Sequence, residues 1–191
     1  MFGRFLPVLC TVGCQGNAQP PASQQPLPPD IVVRDGKHAS VAEMHSGHPC
    51  RATIGPVEMI IGGPPLVAQL GNDRWTGDTG ENGTTLSRGV EKIARVFPIG
   101  DPTQVSVLDN DGIAVLRVKV SGGDATVTNA GGQVLRRLHT KVGGEIISDP
   151  AAITATGTGD LVLVALLSAP ELQPEVRMLA ACERVLVKGS K

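Results

Sequence analysis

The stretch Val105–Val120, with the sequence VSVLDNDGIAVLRVKV, decides the fold class. Two apolar runs flank the segment Asp-Asn-Asp-Gly, whose residues tolerate the backbone conformations of a tight turn. In the second run, apolar residues alternate with Arg117 and Lys119, so one face of the segment is apolar and the other is charged. This pattern predicts a half-buried antiparallel hairpin.

The same alternation and the same turn signals recur on both sides of this hairpin. Further strands are predicted over residues 57–61, 66–70, 125–128 and 133–142, over the wholly apolar 161–167, and in a last segment that starts at Cys182. The Gly-, Asp- and Asn-rich residues 71–85 are typical of a loop. We therefore expect a mainly β domain, either a β-sandwich or a partly open barrel of about seven to nine antiparallel strands.

Helix signals are few. The apolar spacing in residues 90–97 favours a short helix over a strand. Residues 171–181 have a helix-forming composition after Pro170, and the sequence leaves helix and strand open there. The expected architecture thus contains at most one or two short helices.

Composition excludes several classes of function. The 191 residues are 41% hydrophobic and 18% charged, which is typical of a globular domain. The net charge is -1, so the chain lacks the basic excess that nucleic-acid binding requires. After the first few residues the only aromatic side chains are Trp75 and Phe97, too few for stacking bases or sugars. No apolar run approaches the ~20 residues of a membrane-spanning helix.

The first residues have the pattern of an export signal. Arg4 is followed by an apolar run from Phe5 to Val12, then by Gly13 and Cys14. This leader resembles those of bacterial exported lipoproteins, in which the cysteine after the cleavage site is lipidated and becomes the first mature residue. The resemblance implies lipidation of Cys14, with Cys10 as the alternative. An N-terminal strand or helix of the fold itself is the other interpretation of this segment.

A tether and a domain are expected to follow the leader. The segment from Gln15 to Asp30 is rich in Pro and Gln, and such a composition cannot bury enough apolar surface to offset its chain entropy. Proline favours an extended backbone, so this segment should act as a semi-rigid spacer. We divide the chain into an export signal at 1–13, a tether and connecting loop at 14–48, and one β domain at 49–191.

Two cysteines lie within or beside the predicted domain. Cys50 and Cys182 are far apart in the chain, and an even pair in an exported protein predicts a disulfide. In the alternative interpretation, both are small buried apolar residues. A disulfide here would connect the first strand of the domain to its last element.

The segment MHSGHPC, residues 44–50, contains the best candidate metal ligands. His45 and His48 lie close to Cys50 in the sequence, and imidazole and thiolate groups suit copper or zinc. The spacing fixes no fourth ligand, and a disulfide would remove Cys50 as a thiolate. A solvated loop that leads into a strand is the alternative interpretation.

A second candidate site is basic. Arg137, His139 and Lys141, with Arg136, form a stripe on the predicted strand 133–142 that suits an acidic partner or a phosphate group. An ordinary charged outer face of a sheet explains the same residues.

The sequence favours a binding or structural module over an enzyme. It contains neither a Gly-x-Ser-x-Gly nucleophile elbow nor a phosphate-binding loop with lysine. We therefore predict a non-enzymatic module without a cofactor, anchored by lipid in the periplasm or at the outer membrane, that binds an envelope protein and no nucleic acid. A copper or zinc protein that uses His45 and His48 is the alternative, and a hydrolase with an unrecognised site is a third possibility.

Overall fold

The computed structural model describes residues 28–98, 103–149 and 152–188, which form fourteen strands and two helices. The strands are β1 (Ile31–Arg34), β2 (Ser40–His45), β3 (Cys50–Ile54), β4 (Val57–Gly62), β5 (Leu66–Leu70), β6 (Asp73–Gly80), β7 (Gly83–Arg88), β8 (Glu91–Pro98), β9 (Gln104–Asp109), β10 (Ala114–Ser121), β11 (Asp124–Thr128), β12 (Val134–Thr140), β13 (Ile146–Asp149) and β14 (Ile153–Thr156). The helices are α1 (Leu161–Leu167) and α2 (Pro174–Lys188). The predicted mainly β class is confirmed.

The strands form one closed antiparallel barrel in which each strand pairs with the next along the chain. The last pairing joins β1 to β14, with Val32 opposite Thr156, so no sheet edge remains open among these strands. The prediction of a sandwich or partly open barrel of about seven to nine strands is therefore wrong. Because strand directions alternate, every odd-numbered strand starts at the end of the barrel where Ile31 lies. We call this the proximal end, and the opposite end, with the β1–β2 turn, the distal end.

The core fills the lumen of the barrel. Alternate residues of each strand face inward, as in β3, where Cys50, Ala52 and Ile54 are buried. Helix α1 packs against β10, β11 and β12, whereas α2 packs against β3, β4 and β8. The inward side chains and both helices thus form a single apolar cluster. Charged residues such as Arg95 and Arg117 lie on the outer face.

A helix occupies residues 161–167, where the sequence predicts a central strand. Every residue of α1 is buried, because the barrel wall and α2 surround it, and an enclosed helix is apolar on all sides. A short apolar run of this kind does not distinguish helix from strand. Asp160 begins the helix as its N-cap, since its carboxylate accepts hydrogen bonds from the backbone N–H groups of Val162 and Leu163 at 3.1 and 3.2 Å.

The second helix settles the assignment that the sequence leaves open at 171–181. Helix α2 starts at Pro174, at a position where proline is favoured because its missing N–H has no helical partner. It continues through Cys182 to Lys188, so the predicted final strand is wrong. Neither of the two helices has the length and apolar character needed to cross a membrane.

The predicted loop at 71–85 consists largely of β6 and the first part of β7. On β6, Trp75 and Gly77 face the lumen. A Cβ atom at Gly77 would lie only 2.9 Å from Cδ1 of Leu66, so the glycine leaves room for this neighbouring side chain. A glycine at an inward position hides the apolar alternation, which explains the incorrect prediction.

Residues 90–97 also differ from the expected helix. Val90 lies fully exposed in the turn before β8, and within the strand it is Ala94 and Val96 that face inward. The helix-like spacing therefore combines the inward Ala94 with Val90, which lies outside the strand.

The barrel also begins earlier in the chain than residue 49. Strands β1 and β2 lie within the segment 14–48, which the sequence analysis assigns to a tether and connecting loop. They are short, and Ile31, Val33, Ala42 and Met44 supply their buried faces.

Substitution of Gly157 by alanine is expected to destabilise the barrel strongly. Gly157 has φ +87°, and a Cβ atom there would overlap the carbonyl oxygen of Asp30, where β14 passes the start of β1. We expect G157A to lower the free energy of unfolding by at least about 2 kcal/mol, measured by chemical denaturation. The matched control is G71A, because Gly71 has φ +59° with open space around it. Equal losses in both variants would show that the contact with Asp30 has no effect.

Candidate functional site

The proximal end of the barrel is held together by the disulfide and by polar contacts. Cys50 at the start of β3 and Cys182 in α2 are disulfide-bonded with a Cα–Cα distance of 5.9 Å, as the sequence predicts. Nearby in the chain, Arg184 donates a hydrogen bond from Nε to Oδ2 of Asp160 at 2.7 Å. The Arg184–Asp160 contact joins α2 to the start of α1, and the disulfide fixes α2 to strand β3 of the barrel wall.

The predicted metal ligands lie on this same end. His45 is the last residue of β2, and His48 is exposed in the turn before β3. Cys50 is not available as a thiolate, because it is in the disulfide. Among the residues that the structure describes, no group of three or more His, Cys, Asp or Glu side chains is placed to hold a metal ion. Metal binding by His45 and His48 stays a prediction from the sequence.

Cys14, the predicted lipidation site, lies outside the described residues.

The basic stripe divides between two faces of β12. Arg137 lies on the outer face opposite Asp149 of β13, and His139 lies opposite Asp124 of β11. Lys141 forms an ion pair with Glu145 at 3.7 Å in the following turn. Arg136 points into the barrel and is buried, because consecutive residues of a strand face opposite sides. The stripe therefore comprises three residues rather than four.

A cleft of about 560 Å³ opens at the distal end, next to the inward side chain of Arg136. It lies between the β1–β2 turn, the β3–β4 turn, strands β12 and β14, and the connection between the helices. Its apolar lining consists of Val41, Ile54, Leu135, Ile153 and Pro170, and its polar lining of Asp35, Ser40, Ser168, Glu171, Arg136 and Arg177. Its volume lies within the range of small-ligand sites, which is about 300–1,000 Å³.

Two arginines bind the carbonyl end of α1 beneath this cleft. Arg136 donates from Nη1 to the carbonyl oxygen of Ser168, and Arg177 donates from Nε to that of Leu167 at 3.0 Å and from Nη2 to the same oxygen. Cations at a helix C-terminus satisfy its unpaired carbonyls and offset its partial negative charge. Arg136 also donates from Nη2 to Oε2 of Glu171. The connection between the helices is thus fixed by charge-assisted hydrogen bonds.

No family model, curated protein or solved structure matches this chain. The cleft is therefore a candidate site on the basis of its geometry alone. Its two arginines are 3% and 9% exposed, whereas the side chain of their carboxylate partner Glu171 is 28% exposed. Burial, and then the charge of Arg136, lowers the pKa of Arg177, while Glu171 acts in the opposite direction. The floor of the cleft therefore holds two buried positive charges and one partly exposed negative charge.

Of the three charged residues of this floor, the sequence predicts a role for Arg136 alone. Arg136 is named in the basic stripe, but Arg177 and Glu171 receive no role in the sequence analysis. The available signal is the period of the strand, which places Arg136 on the same face as the apolar Leu138. A charged residue at an inward position requires a buried partner, and the sequence does not identify it.

A partly buried carboxyl group lies near the disulfide. Glu183 of α2 accepts a hydrogen bond from Oγ1 of Thr84 at 2.9 Å, and Thr84 contacts Oγ1 of Thr79 at 3.1 Å. Burial raises the pKa of Glu183, although the bond from Thr84 and the charge of Arg184 oppose this change. The carboxyl group is therefore less acidic in the folded protein than in the unfolded chain.

We expect Glu183 to make the protein less stable as the pH rises. The folded state binds its proton more tightly than the unfolded state, so its contribution is fully present below the ordinary pKa of 4.5 and is lost as the pH rises through the folded value. E183Q should remove this dependence and be the more stable protein at pH 7. Denaturant unfolding at pH 4 to 8 measures the difference, with the exposed-turn variant E81Q as control. If the free energy of unfolding changed with pH in the same way for E183Q and the wild type, the prediction would be contradicted.

Proposed function

We propose that this chain is a non-enzymatic binding module of a bacterial cell envelope, anchored by lipid at Cys14, and that its ligand site is the distal cleft. The observation that carries the proposal is the cleft itself, an apolar cavity of about 560 Å³ above two buried arginines. Ligand sites combine mostly apolar walls with a few well-placed polar groups. Of the two carboxylates that line the cleft, Glu171 is paired with Arg136, and Asp35 accepts hydrogen bonds from the backbone N–H groups of Lys37 and Ala39. Both are thus already engaged, which favours binding over acid–base chemistry.

The position of the cleft supports this reading. β1 starts at the proximal end, and the chain that precedes it, with the proposed anchor, joins the barrel there. The cleft is at the distal end. A lipid anchor at Cys14 would therefore attach to one end of the barrel and leave the opposite end open to a ligand.

The anchor can be tested on the natively produced protein. The intact mass should show an acylated mature chain that begins at Cys14, and C14S should lose the acyl groups and the membrane association. A native protein that retains its first thirteen residues without a lipid would overturn the anchor.

The cleft can be tested with a neutral apolar dye. Nile red should bind the wild type with increased fluorescence, and S40W should abolish this binding, because Ser40 lines the cleft and a tryptophan there fills it. S121W is the matched control, since Ser121 is exposed at the proximal end of β10. Equal dye binding by the two variants, or no binding by the wild type, would overturn the distal site.

A further inference from the structure

The floor of the cleft has an excess of positive charge. Arg136 and Arg177 are both buried, and Glu171 is the one carboxylate paired with them among the described residues. Asp35, the other carboxylate of the lining, is partly exposed in the β1–β2 turn and accepts hydrogen bonds from backbone N–H groups of that turn instead. The carbonyl end of α1 adds only a partial negative charge. Buried charges are costly unless they are paired and hydrogen-bonded, so this arrangement favours a further anion.

The hydrogen bonds of the two guanidinium groups indicate where such an anion would bind. Nη1 and Nη2 of Arg136 are used by Ser168 and Glu171. Nε and Nη2 of Arg177 are used by Leu167. Within the described part of the chain, Nη1 of Arg177 donates to no acceptor, and Arg177 is a lining residue of the cleft.

The walls above this group are apolar. Ile54 of β3 and Ile153 of β14 are buried residues that line the cleft, with Leu135 of β12 beside them. A ligand that satisfies both parts of the site has an apolar body and one anionic end. A single negative charge suits the site better than a dianion, because Glu171 would repel the second charge.

We propose that the cleft binds an apolar-chain monocarboxylate, such as a medium-chain fatty acid, with its carboxylate on Arg177 and its chain against the apolar walls. This inference rests on the proposed binding function and specifies its ligand. Glu171 competes with the ligand for the arginines and thereby limits its affinity. Carboxylate–guanidinium bonds are directional and charge-assisted, which gives the site its preference over neutral lipids.

Titration calorimetry of the full chain tests the proposal, with decanoate below its critical micelle concentration and decanol below its solubility limit. Decanoate should bind roughly tenfold more tightly than decanol, because one charge-assisted hydrogen bond separates the two ligands. Equal affinities would overturn the carboxylate inference and leave the proposed binding function intact. Failure of both ligands and of Nile red to bind would overturn the binding function itself.

Two variants make the test specific to the charged floor. E171Q should strengthen decanoate binding several-fold and leave decanol binding unchanged, since it removes the competing carboxylate from a partly exposed loop position. R177K should keep the charge but lose most of the preference for decanoate, since lysine lacks the planar fork. Fluorescence of Trp75, the only tryptophan, establishes that each variant is folded. Unchanged decanoate affinity in a folded E171Q protein would contradict the proposed competition and overturn the assignment.

Discussion

Removal of the Cys50–Cys182 disulfide is expected to lower the free energy of unfolding by about 4 kcal/mol. The two cysteines are separated by 132 residues, so the bond closes nearly the whole barrel into one loop. In the chain-entropy model, such a cross-link acts mainly by restricting the unfolded chain, and its effect grows with loop length. The variant C50A/C182A tests this, since alanine leaves no unpaired polar atom in a site where both residues are fully buried.

Guanidinium denaturation followed by the fluorescence of Trp75 measures the loss. The wild type in a reducing agent should unfold at the same denaturant concentration as C50A/C182A, and the reducing agent should not change the unfolding of C50A/C182A. The two proteins differ only at residues 50 and 182, so the comparison isolates the buried pair. A wild type that unfolds identically with and without reducing agent would contradict the prediction.

The sequence predicts those strands in which alternation is complete. In β10, Leu116 and Val118 face the lumen and Arg117 faces outward, and the turn before it is closed by Asp109, which accepts a hydrogen bond from the N–H of Ile113 at 2.8 Å. Prediction from the alternation of apolar and polar residues fails where an inward position holds a small residue, as at Gly77 in β6. It also fails for α1, because a segment enclosed on every side carries no periodic signal. The strand count, and with it the closed barrel, could not be obtained from these patterns.

The candidate site could be predicted only in part, for a different reason. Strand periodicity places Arg136 inside the barrel, but its partner Glu171 lies 35 residues away in the chain. No local pattern connects two such residues, since their contact depends on how the helical segment enters the lumen. The disulfide could be predicted despite a longer separation, because cysteine has few alternative partners in this chain.

Replacement of Arg136 by methionine is expected to lower the free energy of unfolding by about 3 kcal/mol. The substitution keeps an unbranched side chain but removes the guanidinium group, which leaves the carbonyl of Ser168 and the carboxylate of Glu171 without their donor. Loss of one member of a buried ion pair costs more than the pair contributes, because the remaining group stays desolvated. Chemical denaturation followed by Trp75 fluorescence measures the difference.

The neighbouring residue supplies a matched control, because Arg137 has the same side chain on the outer face of the same strand. R137M should change stability by no more than about 0.5 kcal/mol, as exposed substitutions generally do. In R136M/E171Q, part of the loss should be recovered, and the double-mutant cycle should give a coupling energy of about 1 to 3 kcal/mol. The carbonyl of Ser168 remains unpaired in both variants, so recovery should be incomplete. If R136M were as stable as R137M, the buried arginine would have no part in holding α1 within the barrel, and the charged floor of the cleft would lose its structural basis.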